Sequence, residues 1–385
     1  MSVAPTSRLR RRPLIALEAD HKRIIWLLRT MGAVPRITIA HQLGMHNGAL
    51  TRLARELLML EVIEEQGQLS DGQRGRPSVP LALSGRGGYA AGATVHPGWL
   101  EIALVDFAGQ VIARDATAFD SADPRDFVHC VDQRLRSLTS STGLMRARFL
   151  GLGVAVPGPV VETGPARRHA VDWLHGWRDI DNDQFFEDYF GFPVWVENDA
   201  TLAALAEYYD SGLIRDCASA LLLYVGHGVG GGVIHRRDVM RGEFGNAGDI
   251  GRLFRMDAPR PSGIDLLATL RDAGAGIPSL FELEACLETH AGIISAWAER
   301  AGNQLGAAAN TGVAWLDPGA VILSGSLPRQ VLEALGQLLR QPARWSSALD
   351  SLRLPQVHVS RLGGSAVSVG AALLPIHQLG ADAIV

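Results

Sequence analysis

The chain has 385 residues and a mass of 41.3 kDa, which is two to three times the usual domain length, so more than one folded unit is expected. With 47% hydrophobic and 20% charged residues and a mean hydropathy of +0.10, it can bury enough apolar surface to offset ordering entropy, which excludes disorder as its main state. No apolar run reaches the roughly 18 residues of a membrane span. The basic N-terminus lacks the apolar stretch and cleavage pattern of a signal peptide, so a cytoplasmic protein is expected. Cys130, Cys217 and Cys286 stand far apart in no disulfide or metal spacing and read as reduced core residues.

The net charge of -4 hides an asymmetry. The first 80 residues carry 12 Lys and Arg against 7 Asp and Glu, a net +5, and the remainder carries 24 against 33, a net -9. A basic head on an acidic body points to a polyanion as the partner of the head. In that head, Ile24, Leu27, Leu28 and Met31 fall at helical spacing; Ile39, Ala40 and Leu43 form a second short pattern that stops at Gly44. A third runs from about Asn47 to Leu60 with Leu50, Leu53, Leu57 and Leu60 on one face. A small residue at the helix crossing, a turn glycine and an apolar anchor are what a helix-turn-helix requires, and they leave His46, Asn47, Gly48, Thr51 and Arg52 on an exposed face that can reach base edges and phosphates. Val62-Ile63 and Leu81 to Leu83 read as short strands flanking a polar loop that ends in Arg74-Gly75-Arg76-Pro77. Such a wing tip suits a backbone or minor groove. The DNA-binding set is therefore Arg36, Asn47, Gly48, Thr51, Arg52, Arg74 and Arg76.

Beyond Gly88, short β-branched runs alternate with helical patterns, as in α/β layers. Candidate strands are Ile102 to Val105, Leu150 to Val156, Val194 to Val196, Ala220 to Val225, Val321 to Leu323 and Val357 to Val359, with a hairpin turn at Asp106 to Gly109. Pro157-Gly158-Pro159 breaks the chain directly after an apolar strand, a position that lines clefts. Glu197-Asn198-Asp199 ends a strand and opens a helix, placing an amide and a carboxylate at one corner, where the carboxylate is either a helix cap or a general base. Gly226 to Gly232 is a glycine hairpin that can cradle phosphate through backbone N–H groups or serve only tight packing.

The order of these pieces resembles the ROK family of repressors and kinases. The match runs through Gly75-Arg76-Pro77, Pro157-Gly158-Pro159, Asn198-Asp199, Gly226 to Gly232, Gly242 to Arg252, Asp317-Pro318 with Ser324-Gly325-Ser326, and Val369-Gly370-Ala371-Ala372. The resemblance implies an α/β protein with an N-terminal winged helix-turn-helix over residues 1–85 and a two-lobed, actin-like (RNase H-like) sugar-kinase fold. Its first lobe takes residues 86–200 with the C-terminal helix 366–385, and its second takes residues 201–365. Departures from the family separate a regulator from a kinase. Where kinase members carry an Asp-x-Gly-Gly-Thr loop, this chain has Thr94-Val95-His96-Pro97-Gly98, which lacks the carboxylate and loses an N–H donor to Pro97, and His227 stands where a phosphate-contacting Thr is usual. The glycine-rich motif ends in Asp249-Ile250-Gly251-Arg252 with no cysteine cluster following, so no zinc, and no cofactor of any kind, is expected. Asp249 and Asp265 stand where family glutamates meet sugar hydroxyls, and with Arg252 they imply a reshaped pocket for an altered or acidic sugar. The effector set is Gly158, Asn198, Asp199, Asn246, Asp249, Arg252 and Asp265. The reading is a sugar-responsive repressor that binds operator DNA as a homodimer or homotetramer, off the membrane and on the nucleoid when bound. An active ATP-dependent sugar kinase with a DNA-binding head is the alternative, and a constitutive DNA-binding protein with a vestigial body is a third reading.

Overall fold

A computed structural model of the chain describes residues 15–67, 79–162, 167–178, 180–345 and 353–381. Arg74 and Arg76, with the rest of the wing tip, lie outside the described residues. The head consists of α1 (Ala19–Met31), β1 (Val34–Pro35), α2 (Arg36–Leu43), α3 (Asn47–Met59), β2 (Ile63–Glu65) and β3 (Pro80–Leu83), the strands forming a small sheet in the order β1-β3-β2. Gly44 ends α2 with φ +64°, the left-handed conformation the tight turn into α3 needs. Ile24, Leu28, Ile39, Leu50, Leu53 and Leu57 are buried together, so the three apolar stripes meet, except that Met31 at the end of the first is exposed.

The body contains two five-stranded sheets built to one plan. In the first, β4 (Tyr89–His96) pairs antiparallel with β5 (Trp99–Asp106), and β5 with β6 (Val111–Ala118); β7 (Phe149–Ala155) then runs parallel to β4, and β10 (Val194–Glu197) parallel to β7. Between them come α4 (Pro124–Ser141), the short pair β8 (Val160–Glu162) and β9 (Arg167–Arg168), and α5 (Asn182–Phe190). After α6 (Asp199–Asp210) and α7 (Leu213–Asp216) the second sheet repeats the plan. Its β11 (Ala220–Val225) is antiparallel to β12 (Val229–His235), which is antiparallel to β13 (Asp238–Val239). Following α8 (Gly263–Asp272) and α9 (Ala291–Leu316), β14 (Ala320–Gly325) runs parallel to β11. Beyond α10 (Arg329–Leu339), β15 (Gln356–Val359) runs parallel to β14, and α11 (Ala366–Ala381) closes the chain. The fold is mixed α/β, two-lobed and actin-like.

Two helices join the lobes by exchanging sides. Helix α6 leaves the last strand of the first sheet yet packs on β11 and β12 of the second, whereas α11 follows the last strand of the second sheet and packs on β4, β5 and β7 of the first. The two helices also pack on each other. A lobe boundary at residue 200 therefore falls inside α6. Glu207, on the buried side of α6, accepts hydrogen bonds at one carboxylate oxygen from the hydroxyls of Ser324 (2.8 Å) and Ser360. Burial pushes this carboxyl up to about 6, the serine hydroxyls opposing the shift. An acid whose pKa is raised by folding holds its proton more tightly in the folded state, so its contribution is full at low pH and is lost as pH rises from about 4.5 through about 6. Glu207→Gln keeps the acceptor oxygen and removes the ionisation. In urea titrations the variant is therefore expected to gain roughly 2 kcal/mol on the wild type between pH 4 and pH 7. A pH-independent difference between the two proteins would rule this out.

The head shares its core with the body instead of hanging on a linker. Ile24, Ile25 and Leu28 of α1 belong to the same continuous apolar cluster as Ala203 and Tyr208 of α6 and Val367 to Leu374 of α11. Arg148, just before β7, donates to the carbonyls of Leu60 (3.1 Å) and Gly87 (2.8 Å), tying the end of the head to the first sheet. Cys130, Cys217 and Cys286 are free and only half-buried, packed at the edges of the cores and not within them. Among the described residues no helix is long and apolar enough to cross a membrane.

Candidate functional site

Two surfaces carry the chemistry. The first is the exposed side of α3. Because Leu50, Leu53, Ala54 and Leu57 face the core, helical spacing turns Asn47, Gly48, Thr51, Arg52 and Arg55 to solvent. Thr51 donates to the carbonyl of Asn47 at 2.7 Å, and Arg52 pairs with Glu56 at 2.9 Å while remaining 66% exposed. Arg36, at the start of α2, pairs with Glu65 at 2.5 Å. Exposed pairs of this kind are worth little and exchange readily for phosphate. Arg55 lies on the same face one turn beyond Arg52 and was not among the residues singled out in the sequence.

The second surface is a cleft of about 780 Å³ between the lobes. Its floor is the start of α6. Asn198 caps that helix, its amide oxygen accepting from the N–H groups of Ala200 (3.0 Å) and Thr201 (3.3 Å), so the amide NH2 is what it can offer a ligand. Asp199, in the first turn, accepts from Ala200 N–H at 2.9 Å; burial pushes its carboxyl up, opposed by that N–H and by the charge of Arg168. Beneath them Glu197 is buried and fully engaged. It receives Arg168 (3.3 Å) and the backbone N–H of Asn198 (2.8 Å) on one oxygen and Arg241 (2.7 Å) on the other. This clamp between β9, β10 and the second lobe was not foreseen, because a glutamate before Asn-Asp carries no local signal of its partners.

One wall is the loop after β7. Gly158 has φ +102° and a side chain there would lie 2.2 Å from the carbonyl of His169, so only glycine fits. The glycine hairpin between β11 and β12 and the turn after β4 bring His227 and His96 to the opposite side. Burial, with His227 adding to it, pushes His96 down to about 4, and burial also lowers His227, so both are neutral at neutral pH. The remaining wall, from Gly245 to Arg260, carries Asp249 paired with Arg252 at 2.8 Å, then Arg255 and Arg260. Asp199 and Asp249 are the carboxylates lining the cleft among the described residues, and no three His, Cys, Asp or Glu side chains gather there as metal ligands.

Two residues expected to meet the effector are otherwise employed. Asn246 lines the rim, but its amide makes a two-point bridge to the backbone of Val160, accepting at 2.7 Å and donating at 2.8 Å, and so latches one lobe to the other. Asp265 does not line the cleft at all. Its carboxylate faces α9, where it accepts from the Trp297 indole (2.8 Å) and Arg300 (2.5 Å). Position 265 is in the first turn of α8, and the helix rotates the side chain toward its packing partner. Gly158, Asn198, Asp199, Asp249 and Arg252 are brought together around one cavity.

The signature of the ROK family matches residues 96–263, which hold nearly the whole of this cleft. The uncharacterized protein y4fQ of Sinorhizobium fredii is 32% identical over 365 residues, 94% of this chain and 92% of that protein. The chain belongs to the ROK family. The DNA-binding transcriptional dual regulator NagC of Escherichia coli is 25% identical over 229 residues, 59% of this chain and 55% of NagC, so the match spans about half of that relative's length. Among solved structures, a ROK family transcriptional regulator described as a homologue of Escherichia coli MLC superposes with a TM-score of 0.65 at 21% identity, covering 95% of this chain and 97% of that one. The ROK family glucokinase of Streptomyces griseus, solved with glucose and AMPPNP, superposes with a TM-score of 0.59 at 22% identity over 74% of this chain and 99% of the kinase. These likenesses establish the ROK fold of head and body.

Proposed function

We propose that this ROK protein is a transcriptional regulator of the repressor type whose head, residues 1–85, binds operator DNA and whose interlobe cleft binds a sugar or sugar derivative. The observation that carries the reading is the single core running from α1 through α11 to α6, whose first turn is the floor of the cleft. A ligand that prefers one spacing of the lobes thereby biases the helices on which the head sits, and only such a differential preference can shift DNA affinity. Asn47, Gly48, Thr51 and Arg52, with Arg36 beside them, contact DNA; Gly158, Asn198, Asp199, Asp249 and Arg252 contact the effector. The likeness to the DNA-binding transcriptional dual regulator NagC and to the fold of an MLC homologue supports this direction. Two heads must meet half-sites about a helical turn apart, so the active form is a symmetric dimer or tetramer working in the cytoplasm on the nucleoid.

The kinase reading has one observation in its favour: a buried Asp199 with a raised pKa suits a general base. Against it, the end of β4 and the turn that follows offer neutral His96 and Pro97 where phosphoryl transfer needs a carboxylate and N–H donors. ATP consumption over a sugar panel separates the two, with no turnover expected. The regulator itself is tested by fluorescence anisotropy on DNA from the chain's own promoter region. Arg52→Ala is expected to weaken binding about 10-fold or more and to lower the slope of log affinity against log salt by about one. Asp199→Asn is expected to bind DNA as the wild type does but to release it poorly with sugar. Wild-type DNA affinity in Arg52→Ala would remove α3 from the DNA interface.

A further inference from the structure

We propose that the effector carries a carboxylate held by Arg260, so that the cleft takes a sugar acid and not a neutral sugar. This rests on the reading of the cleft as the effector site and specifies what that site selects. Three arginines line the cleft among the described residues, and two of them already have a carboxylate partner. Arg252 pairs with Asp249 at 2.8 Å, and Arg255 makes a two-point pair with Asp257 at 2.9 and 2.6 Å. Arg260 differs. Its Nη2 donates to the carbonyl of Gly251 at 3.1 Å and its Nη1 lies 2.9 Å from the sulfur of Met256, while its Nε is buried without an acceptor. No carboxylate among the described residues lies within ion-pair distance of it.

A buried N–H without a partner is destabilising, and an unneutralised guanidinium in a partly enclosed cleft adds to that. A ligand that supplies an anion neutralises the charge. One free guanidinium matches one negative charge, and its planar fork matches the two oxygens of a carboxylate. A phosphate dianion would have to draw Arg252 or Arg255 from its carboxylate partner to be neutralised, whereas a carboxylate needs only Arg260. The neutral state of His96 and His227 leaves the positive charge of the cavity concentrated on the arginine wall.

The place of Arg260 also says where the hydroxyls go. At Gly251 a side chain would stand 3.2 Å from Arg260 Nη2 and 3.3 Å from Asp249 Oδ1, so its absence leaves open a gap that guanidinium and carboxylate both border without pairing. A carboxylate on Arg260 thus brings the adjoining hydroxyl of the same ligand to Asp249, and the rest of a hydroxylated chain or ring extends toward Asn198 and Asp199. That pattern is the one a uronate or aldonate presents.

The test uses the full chain, thermal shift followed by isothermal titration, and three classes of probe: glucuronate, galacturonate and gluconate; glucose and galactose; and glucose 6-phosphate. Wild type is compared with Arg260→Gln and Arg260→Lys. At least one carboxylated probe is expected to bind the wild type 10-fold or more tightly than its neutral counterpart. Arg260→Gln is expected to lose roughly 10- to 100-fold of that affinity, about 1.4–2.8 kcal/mol, and Arg260→Lys to retain part of it because charge survives while the fork is lost. Neutral sugars that bind wild type and Arg260→Gln alike would overturn the sugar-acid proposal and leave the effector reading standing. Binding of glucose 6-phosphate with the carboxylated probes silent would overturn it equally. A wild type that no probe stabilises would overturn both readings of the cleft. If Arg260→Gln melts early, the comparison of Arg260→Lys with wild type still decides the matter.

Discussion

Gly370→Val is expected to destabilise the chain by at least about 3 kcal/mol, lowering its melting temperature by roughly 5–10 °C, with Gly370→Ala, which carries the same Cβ, costing most of that. A Cβ on Gly370 would lie 1.9 Å from the carbonyl oxygen of Leu202 and 2.5 Å from its carbon, so α11 and α6 cross with backbones in contact. The obstacle is main chain and cannot rotate away. Nor can α11 retreat, because its other side rests on the first sheet just as closely. A side chain at Gly92 would lie 2.1 Å from Ser368 O, and one at Gly153 would lie 2.0 Å from Ala371 O. Helix α11 is thus held between backbone surfaces on two sides, and a valine forces the lobe-joining helices apart. Thermal melts of the purified variants check this, and a Gly370→Val protein with wild-type stability would mean that the helices do not cross at this point.

Arg29 makes the second large effect. It sits in the last turn of α1, only 4% exposed, where its Nη2 donates to the carbonyl of Phe107 at 3.1 Å. Its guanidinium carbon stands 5.7 Å from the Phe107 ring centre and 5.8 Å from that of Tyr209. Tyr209 in turn donates to His377 Nδ1 at 2.9 Å, and His377, stacked edge-on against Trp26, reaches Asp238 at 2.8 Å through Nε2. Burial lowers the His377 pKa, consistent with a neutral ring that accepts on one nitrogen and donates on the other. Arg29→Ala leaves a cavity among these rings and a carbonyl without its donor, for an expected loss of about 2–4 kcal/mol. Arg29→Met refills the volume and removes a buried charge with no carboxylate partner among the described residues, so it is expected to cost less than about 1 kcal/mol. Urea unfolding of the two variants, with hydrogen exchange at α1, separates volume from charge. Equal losses in both would mean that the charge is what holds the head to the body.

The amino-acid sequence by itself determined the elements whose pattern is local. Apolar residues three and four apart define α1, α2 and α3 and therefore which side of α3 is free, because a helix commits every side chain to a direction once its apolar stripe is set. The strand-to-helix corner at Asn198-Asp199 and the break at Pro157-Gly158-Pro159 were likewise legible, since capping and forced turns depend on adjacent residues alone.

Only the tertiary structure decided the rest. The stretch Tyr89 to His96 is rich in alanine and glycine and does not read as a strand, yet it is the central β4, because small residues are what let α11 lie directly on it. The repeated strand order of the two sheets leaves no repeat of residues, since hydrogen-bonded topology constrains burial and not identity. Asn246, Asp265 and Arg29 all look like free polar groups in sequence. Each is assigned elsewhere by a partner far along the chain: Val160 for the first, Trp297 and Arg300 for the second, Phe107 for the third. Arg260 stands out for the converse reason, as a cleft arginine that makes no ion pair among the described residues. Whether a charge is neutralised depends on what folding carries to within a few ångströms of it, and that distance is set by long-range packing and not by neighbours in the chain.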